Sequence, residues 1–145
     1  MKIMMTDFIT IVQNILSEQD KTTEELFSNK IVSKNTFYKY KQRNPSLQTL
    51  IKIANFLEVS IDYIYERIDK NIFSTYSTDQ SSFYDNLRKL INSSGISIRK
   101  FCKDLNYAKD NVLRYKKGVE PSLRTILEIA DYFQCSVDEL LITEK

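Results

Sequence analysis

Six cations, Lys30, Lys34, Lys39, Lys41, Arg43 and Lys52, fall between Ser28 and Leu57 with no carboxylate among them, although residues 1–70 together carry only +1. The acids of this half stand elsewhere along the chain. Screening confines exposed charges to roughly 8–10 Å at physiological salt, so the local cluster matters more than the sum. Such a cluster is suited to neutralising phosphates. A second stretch, Ser97 to Lys117, sets seven cations (Arg99, Lys100, Lys103, Lys109, Arg114, Lys116, Lys117) against Asp104 and Asp110, a local +5. The overall isoelectric point near 8.4 is a weaker signal than this distribution.

Other chemistries are excluded by composition. The 145 residues include no histidine, which removes a Ser-His-Asp relay, a Cys-His nucleophile and a His-ligated zinc. Two glycines, against roughly ten at average usage, argue against Gly-rich phosphate loops and against all-β folds with many tight turns. Cys102 and Cys135 are far apart and each sits in an apolar pattern, so both read as small core hydrophobes. With no carboxylate pair, activated nucleophile or metal cluster at useful spacing, the sequence predicts a binding protein with no cofactor and no catalytic or metal site. The N-terminal Met1–Asp7 lacks an apolar leader, and no run approaches the ~18 apolar residues of a bilayer span. The expectation is a globular cytoplasmic protein without a membrane partner.

The elements that would position these cations are written twice. The segment from Phe8 aligns with that from Phe83 at an offset of 75, shifting to 76 at Pro45 and Pro121. Pro45-Ser46-Leu47-Gln48-Thr49-Leu50 answers Pro121-Ser122-Leu123-Arg124-Thr125-Ile126, and Ser60-Ile61-Asp62 answers Ser136-Val137-Asp138. This predicts a tandem duplication, with domains over 1–68 and 83–145 and a Ser-, Thr-, Asp- and Asn-rich linker over 69–82. In the first copy Phe8, Ile11, Val12, Ile15 and Leu16 make one helical stripe. A capping box, Thr22 with Glu25, starts a second helix burying Leu26 and Phe27. A third helix runs from Ser33 to Lys41. A fourth starts at Ser46, a cap directly after proline, and a fifth at Ser60, with Asp62 in its first turn favoured by the helix dipole. The counterparts are Phe83 to Ile91, a helix from Ser97 burying Phe101 and Cys102, Lys109 to Lys116, and helices from Ser122 and Ser136. No window alternates apolar and polar residues in the manner of a strand.

Two short helices joined by a tight turn, within a five-helix unit of about 60 residues, resemble the Cro/phage-repressor-type (Xre-like) helix-turn-helix family. The resemblance rests on Leu26-Phe27 and Phe101-Cys102 in helix two, Val32-Ser33 and Tyr107-Ala108 in the turn, Phe37 and Val112 in helix three, and the Pro-Ser-Leu-x-Thr blocks. It implies an all-α protein of two tandem five-helix, lambda-repressor-like domains. It further implies a double-stranded DNA-binding regulator, a repressor from a bacterium or its mobile elements, laying helix three in the major groove. Thr23 and Ile98 stand where the family usually has a phosphate-binding glutamine. The family's glycine between helices two and three is matched by Asn106, which tolerates a left-handed conformation, and by Ile31, which does not. A local change using Asn29 is therefore expected in the first turn.

The candidate contacts in the first copy are Thr23, Ser33, Lys34, Asn35, Thr36, Tyr38, Lys39, Lys41 and Arg43, with Phe37 and Tyr40 facing inward. Asn35 suits bidentate pairing with adenine, Lys34 guanine or phosphate, and Tyr38 phosphate or a thymine methyl. In the second copy they are Lys109, Asp110, Asn111, Leu113, Arg114 and Lys117. Asp110 accepts from cytosine but repels phosphate, and an outward Leu113 suits a protein partner equally well, which makes the first copy the stronger DNA reader. A protein-interaction module on the same fold, such as an antirepressor, antitoxin or phage-encoded inhibitor, is the competing reading. Fourteen linker residues at about 3.3 Å each reach roughly 46 Å, beyond the ~34 Å between successive major-groove faces, so one chain gripping two half-sites and a homodimer on a palindrome are both open.

Overall fold

The computed structural model describes residues 7–80 and 82–142, which are helical with no strand among them. The chain divides between Thr78 and Asp79 into two compact units.

In the first unit α1 (Phe8–Glu18), α2 (Thr23–Ser28), α3 (Lys34–Lys39), α4 (Leu47–Leu57) and α5 (Ile61–Ile64) surround one core. Phe8, Val12, Leu16, Leu26, Phe37, Leu50, Ile51, Ala54 and Leu57 are all buried, the periodic positions of the sequence. The predicted starts are held by local side-chain bonds. Ser33 Oγ accepts from the Thr36 N–H at 3.2 Å and donates to the Thr36 hydroxyl at 2.8 Å. Ser46 and Thr49 repeat the pair at 3.3 and 3.1 Å. Ser60 Oγ accepts from the Tyr63 N–H at 3.1 Å. Caps of this type contribute about 1 kcal/mol each.

The turn between α2 and α3 differs from expectation. Asn29 keeps a negative φ of −86° and uses its side chain to donate to the Glu25 carbonyl at 2.7 Å. The left-handed residue is Lys30, φ 57°, and the Ile31 and Val32 N–H groups then both reach the Leu26 carbonyl, at 2.9 and 3.5 Å. A lysine there costs about 1–2 kcal/mol of backbone strain, offset by closing the orphan end of α2. Phe27, expected inside, is only half-buried. Asp62 does more than suit a dipole: it is buried and paired with Arg67.

The segment that composition reads as a spacer is fastened to this unit from Asp69 to Thr78. Tyr76 is buried, its hydroxyl accepts from the Ile61 N–H at 2.9 Å, and its backbone is bonded in both directions by the Asn55 side chain, each at 2.9 Å. Asn71 accepts from the Ser60 N–H and donates to the Glu58 carbonyl, at 2.9 and 3.0 Å. Ten of the fourteen predicted linker residues, Asp69 to Thr78, thus belong to the first unit.

The second unit contains α6 (Phe83–Ser93), α7 (Ile98–Leu105), α8 (Lys109–Lys116), α9 (Leu123–Phe133) and α10 (Asp138–Leu141). Asn106 takes the left-handed conformation (φ 59°) at the end of α7, where its residue type was expected to allow it. Ser97 and Ser122 cap α7 and α9, the latter again with a partner threonine, Thr125, at 3.0 Å. Ser136 accepts from the Glu139 N–H at 3.3 Å, with Val137 already at helical angles before α10. Buried Asn86 on α6 donates to the Leu140 carbonyl at 2.8 Å, tying the first helix of this unit to its last. Cys102 is buried, as its pattern predicts, whereas Cys135 is only half-buried.

One aromatic arrangement holds the end of the third helix in each unit. Phe8 meets Tyr40 edge-to-face at 5.6 Å and 89°, and Phe83 meets Tyr115 at 5.2 Å and 88°. The Thr49 side chain lies beside the Tyr40 phenol, and that of Thr125 beside the Tyr115 phenol. Burial pushes both phenols above their ordinary value, against the opposing effect of these threonines. Tyr65 is raised further, by burial and by its neighbour Tyr40.

Two outcomes follow for stability. Phe8→Ala and Phe83→Ala should each cost ~3–5 kcal/mol, while Tyr40→Phe and Tyr115→Phe should cost about 1 kcal/mol each, read from urea denaturation of the full chain. Equal, negligible losses for the phenylalanines would mean that the pairs do not anchor the helix. Because the folded-state phenol values lie above the unfolded one, stability from Tyr40, Tyr65 and Tyr115 is complete below about pH 10 and is lost as pH rises through the folded values. The urea midpoint should therefore fall from pH 9 to 11, and Tyr65→Phe should flatten the fall.

Candidate nucleic-acid interface

α3 has six residues and buries only Phe37 among them. With Tyr40 inward just past its end, the outward positions are Lys34, Asn35, Tyr38 and Lys39, all exposed. Lys41 and Arg43 follow in the exposed turn, and Lys30 and Lys52 are exposed as well. None of the six cations from Lys30 to Lys52 forms an ion pair among the described residues. Ser33 is exposed at the cap, and its hydroxyl is engaged with half-buried Thr36. Thr23, at the start of α2, is half-buried. Tyr38 is braced: Phe37 lies 5.3 Å and Phe27 6.3 Å from its ring. The brace was not legible in the sequence, which reads Phe27 as core.

α8 repeats the geometry with different chemistry. Val112 is its buried residue, and Lys109, Asp110, Leu113 and Arg114 are exposed, as is Lys117 beyond its end. Asn111 is half-buried. No capping side chain bonds the start of α8, since Ala108 stands where α3 has Ser33.

The acids near α8 are mostly engaged. Lys100 lies 3.1 Å from Asp104, and the Tyr132 hydroxyl donates to the same carboxylate at 2.6 Å. That hydrogen bond, then Lys100 and Lys103, holds the Asp104 carboxyl below its usual range. Glu128 accepts from the Tyr107 hydroxyl at 2.8 Å and faces Arg124 at 3.7 Å. Burial, then this carboxylate, pushes the Tyr107 phenol well above its ordinary value, so it remains a donor. Arg99, Lys103, Lys109, Arg114, Lys116 and Lys117 make no ion pair among the described residues. The exception is Asp110, exposed in the first turn of α8.

Each unit therefore offers a short helix with one anchored face and one cationic face, and unpaired surface cations of this kind are the electrostatic footprint of phosphate binding. Among the described residues no group of His, Cys, Asp or Glu could hold a metal ion, and no helix is long and apolar enough to cross a membrane. No curated protein and no solved structure matches the chain. Residues 86–145, which lie within the second unit, match the family model of the Cro/C1-type HTH DNA-binding domain.

Proposed function

We propose that the protein is a sequence-specific double-stranded DNA-binding regulator acting as a repressor, with α8 of the second unit and α3 of the first each entering a major groove. The observation that carries this reading is the exposed, unpaired cationic face on α8 and around it, inside the region that matches a DNA-binding domain. For the first unit the support is geometric: α1, α2 and α3 start 75 residues before α6, α7 and α8, α4 starts 76 before α9, and the same Phe–Tyr–Thr contacts recur. On that basis the two units are tandem copies of one domain.

In this reading Lys34, Lys39, Lys41, Arg43, Lys109, Arg114 and Lys117 meet phosphates or guanine, Asn35 pairs with adenine and Asp110 accepts from cytosine. Ser33 and Thr36 at the start of α3, Asn111 on α8 and Thr23 at the start of α2 would in this reading position backbone phosphates. Unequal reading helices favour an asymmetric site for one chain; a palindrome would instead report a homodimer. A protein partner docking on the second unit is the competing function, favoured by exposed Leu113.

Fluorescence anisotropy with duplexes enriched from a random pool, across a salt series, separates these. A regulator should bind a few sites tightly, with a log–log salt slope of about 0.9 for each phosphate contacted. Flat, weak binding to every duplex would favour the protein partner. Lys34→Ala should weaken binding to all sequences, whereas Asn35→Ala should erode discrimination at one base pair by roughly 1–3 kcal/mol. Lys109→Ala and Arg114→Ala test the second unit in the same way; no change from either would remove α8 from the interface.

A further inference from the structure

The two third helices are started by different means. At α3 the Ser33 hydroxyl accepts from the Thr36 N–H at 3.2 Å, a cap three residues long. At α8 the cap position holds Ala108, and no side chain caps the first turn. That turn carries Lys109 and Asp110, both exposed, so the uncapped end is also the end that presents charge to solvent. An open first turn frays, because its N–H groups have no partner within the helix.

The residue before the gap compensates. Tyr107 lies half-buried in the turn before α8, its ring edge-to-face on fully buried Phe101 of α7, with centroids 6.1 Å apart. Its hydroxyl donates to Glu128 of α9 at 2.8 Å, across 21 positions of sequence. Arg124, one turn earlier on α9, faces the same carboxylate at 3.7 Å. Thr125 lies beside the Tyr107 phenol and beside the Tyr115 phenol. A tyrosine before α8 and a tyrosine in its last turn therefore converge on one stretch of α9.

The first unit has neither half of this bond. At the same register stand Val32, which is buried and has no hydroxyl, and Lys52, an exposed cation. Cap and tether thus replace one another: Ser33 with Val32 and Lys52 in one unit, Ala108 with Tyr107 and Glu128 in the other. A phenol donating to a carboxylate is a charge-assisted bond, strong enough to take the place of a serine cap.

We infer that Tyr107 is the positioning residue of α8, holding the uncapped start of the reading helix through Glu128 as Ser33 holds α3 locally. The inference rests on the DNA-binding reading of α8. It places the direction of Lys109 and Asp110 under a contact with α9 that is remote in sequence.

Amide hydrogen exchange and duplex binding, both on the full chain, test it. Tyr107→Phe keeps the ring on Phe101 and removes the hydroxyl alone. Exchange at the start of α8 should rise about tenfold with α6, α7 and α9 unchanged, and affinity for the selected duplex should fall by a similar factor. Glu128→Gln, which retains an acceptor, should lose less than Glu128→Ala. Adding Ala108→Ser to Tyr107→Phe supplies the missing cap and should recover about fivefold of each loss. A rise spread evenly over α6 to α10 would make the bond a general stabiliser and overturn the inference. Unchanged exchange at α8, or no recovery with Ala108→Ser, would overturn it as well. Faster exchange confined to α8, in a variant that binds its duplex as tightly as the wild type, would overturn the role in reading. Binding to no duplex by the wild type would instead overturn the DNA-binding reading, while exchange still decides whether Tyr107 holds α8.

Discussion

A helix of six or eight residues that buries one side chain does not hold itself in place. α3 has only Phe37 inside and α8 only Val112, and isolated helices of this length are marginal in water. What fixes each is the tyrosine three residues beyond the anchor. Tyr40 sets its ring edge-to-face on Phe8 of α1, with Thr49 of α4 beside its phenol; Tyr115 does the same with Phe83 and Thr125. The threonine is itself held by the serine that caps the fourth helix. One chain of contacts thus joins the first, third and fourth helices of each unit, and the direction in which the third helix presents its outward residues follows from it.

That anchoring leaves the outward face free of structural duty. Nothing in the core requires a lysine at 34 or an arginine at 114, and neither has an ion-pair partner among the described residues. Apart from exposed Asp110, two acids of the second unit are engaged instead: Asp104 by Tyr132 and Lys100, Glu128 by Tyr107 and Arg124. Exposed pairs of this kind contribute little stability. Their effect is on the field, because a carboxylate held against a cation and a phenol presents less negative potential to an approaching polyanion.

Features set by residue type or by a three-residue spacing were legible in the sequence, and those set by other contacts were not. Ser33, Ser46, Ser60, Ser97 and Ser122 cap helices because the accepting oxygen and the N–H it receives are three residues apart. Asn106 was readable for the same reason, its left-handed conformation being a property of residue type. Lys30 was not, since its strain is offset only by two N–H groups meeting at the Leu26 carbonyl. Tyr76 sits in a polar stretch, and bonds to Asn55 and to the start of α5, 21 and 15 positions away, help turn that stretch into structure. Phe27 scores as core by hydropathy, yet lies where α2 and α3 meet and braces Tyr38. The outward residues of α3 and α8 were found from periodicity and the repeat, whereas the ring contacts that brace Tyr38 are ones that periodicity does not encode.

The two units divide the residues of the third helix into those that hold it and those that face outward. Counting from its first residue, positions four and seven carry Phe37 and Tyr40 in one unit and Val112 and Tyr115 in the other, all apolar or aromatic and turned inward. Positions one and six keep their positive charge, as Lys34 and Lys39 or Lys109 and Arg114. Positions two and five differ most: Asn35 faces Asp110 across the comparison, and braced Tyr38 faces unbraced Leu113. Conserving the inward pair keeps the helix docked, and conserving the cations keeps the field. Changing positions two and five alters the charge and the apolar surface that the outward face presents, while the inward pair stays in place.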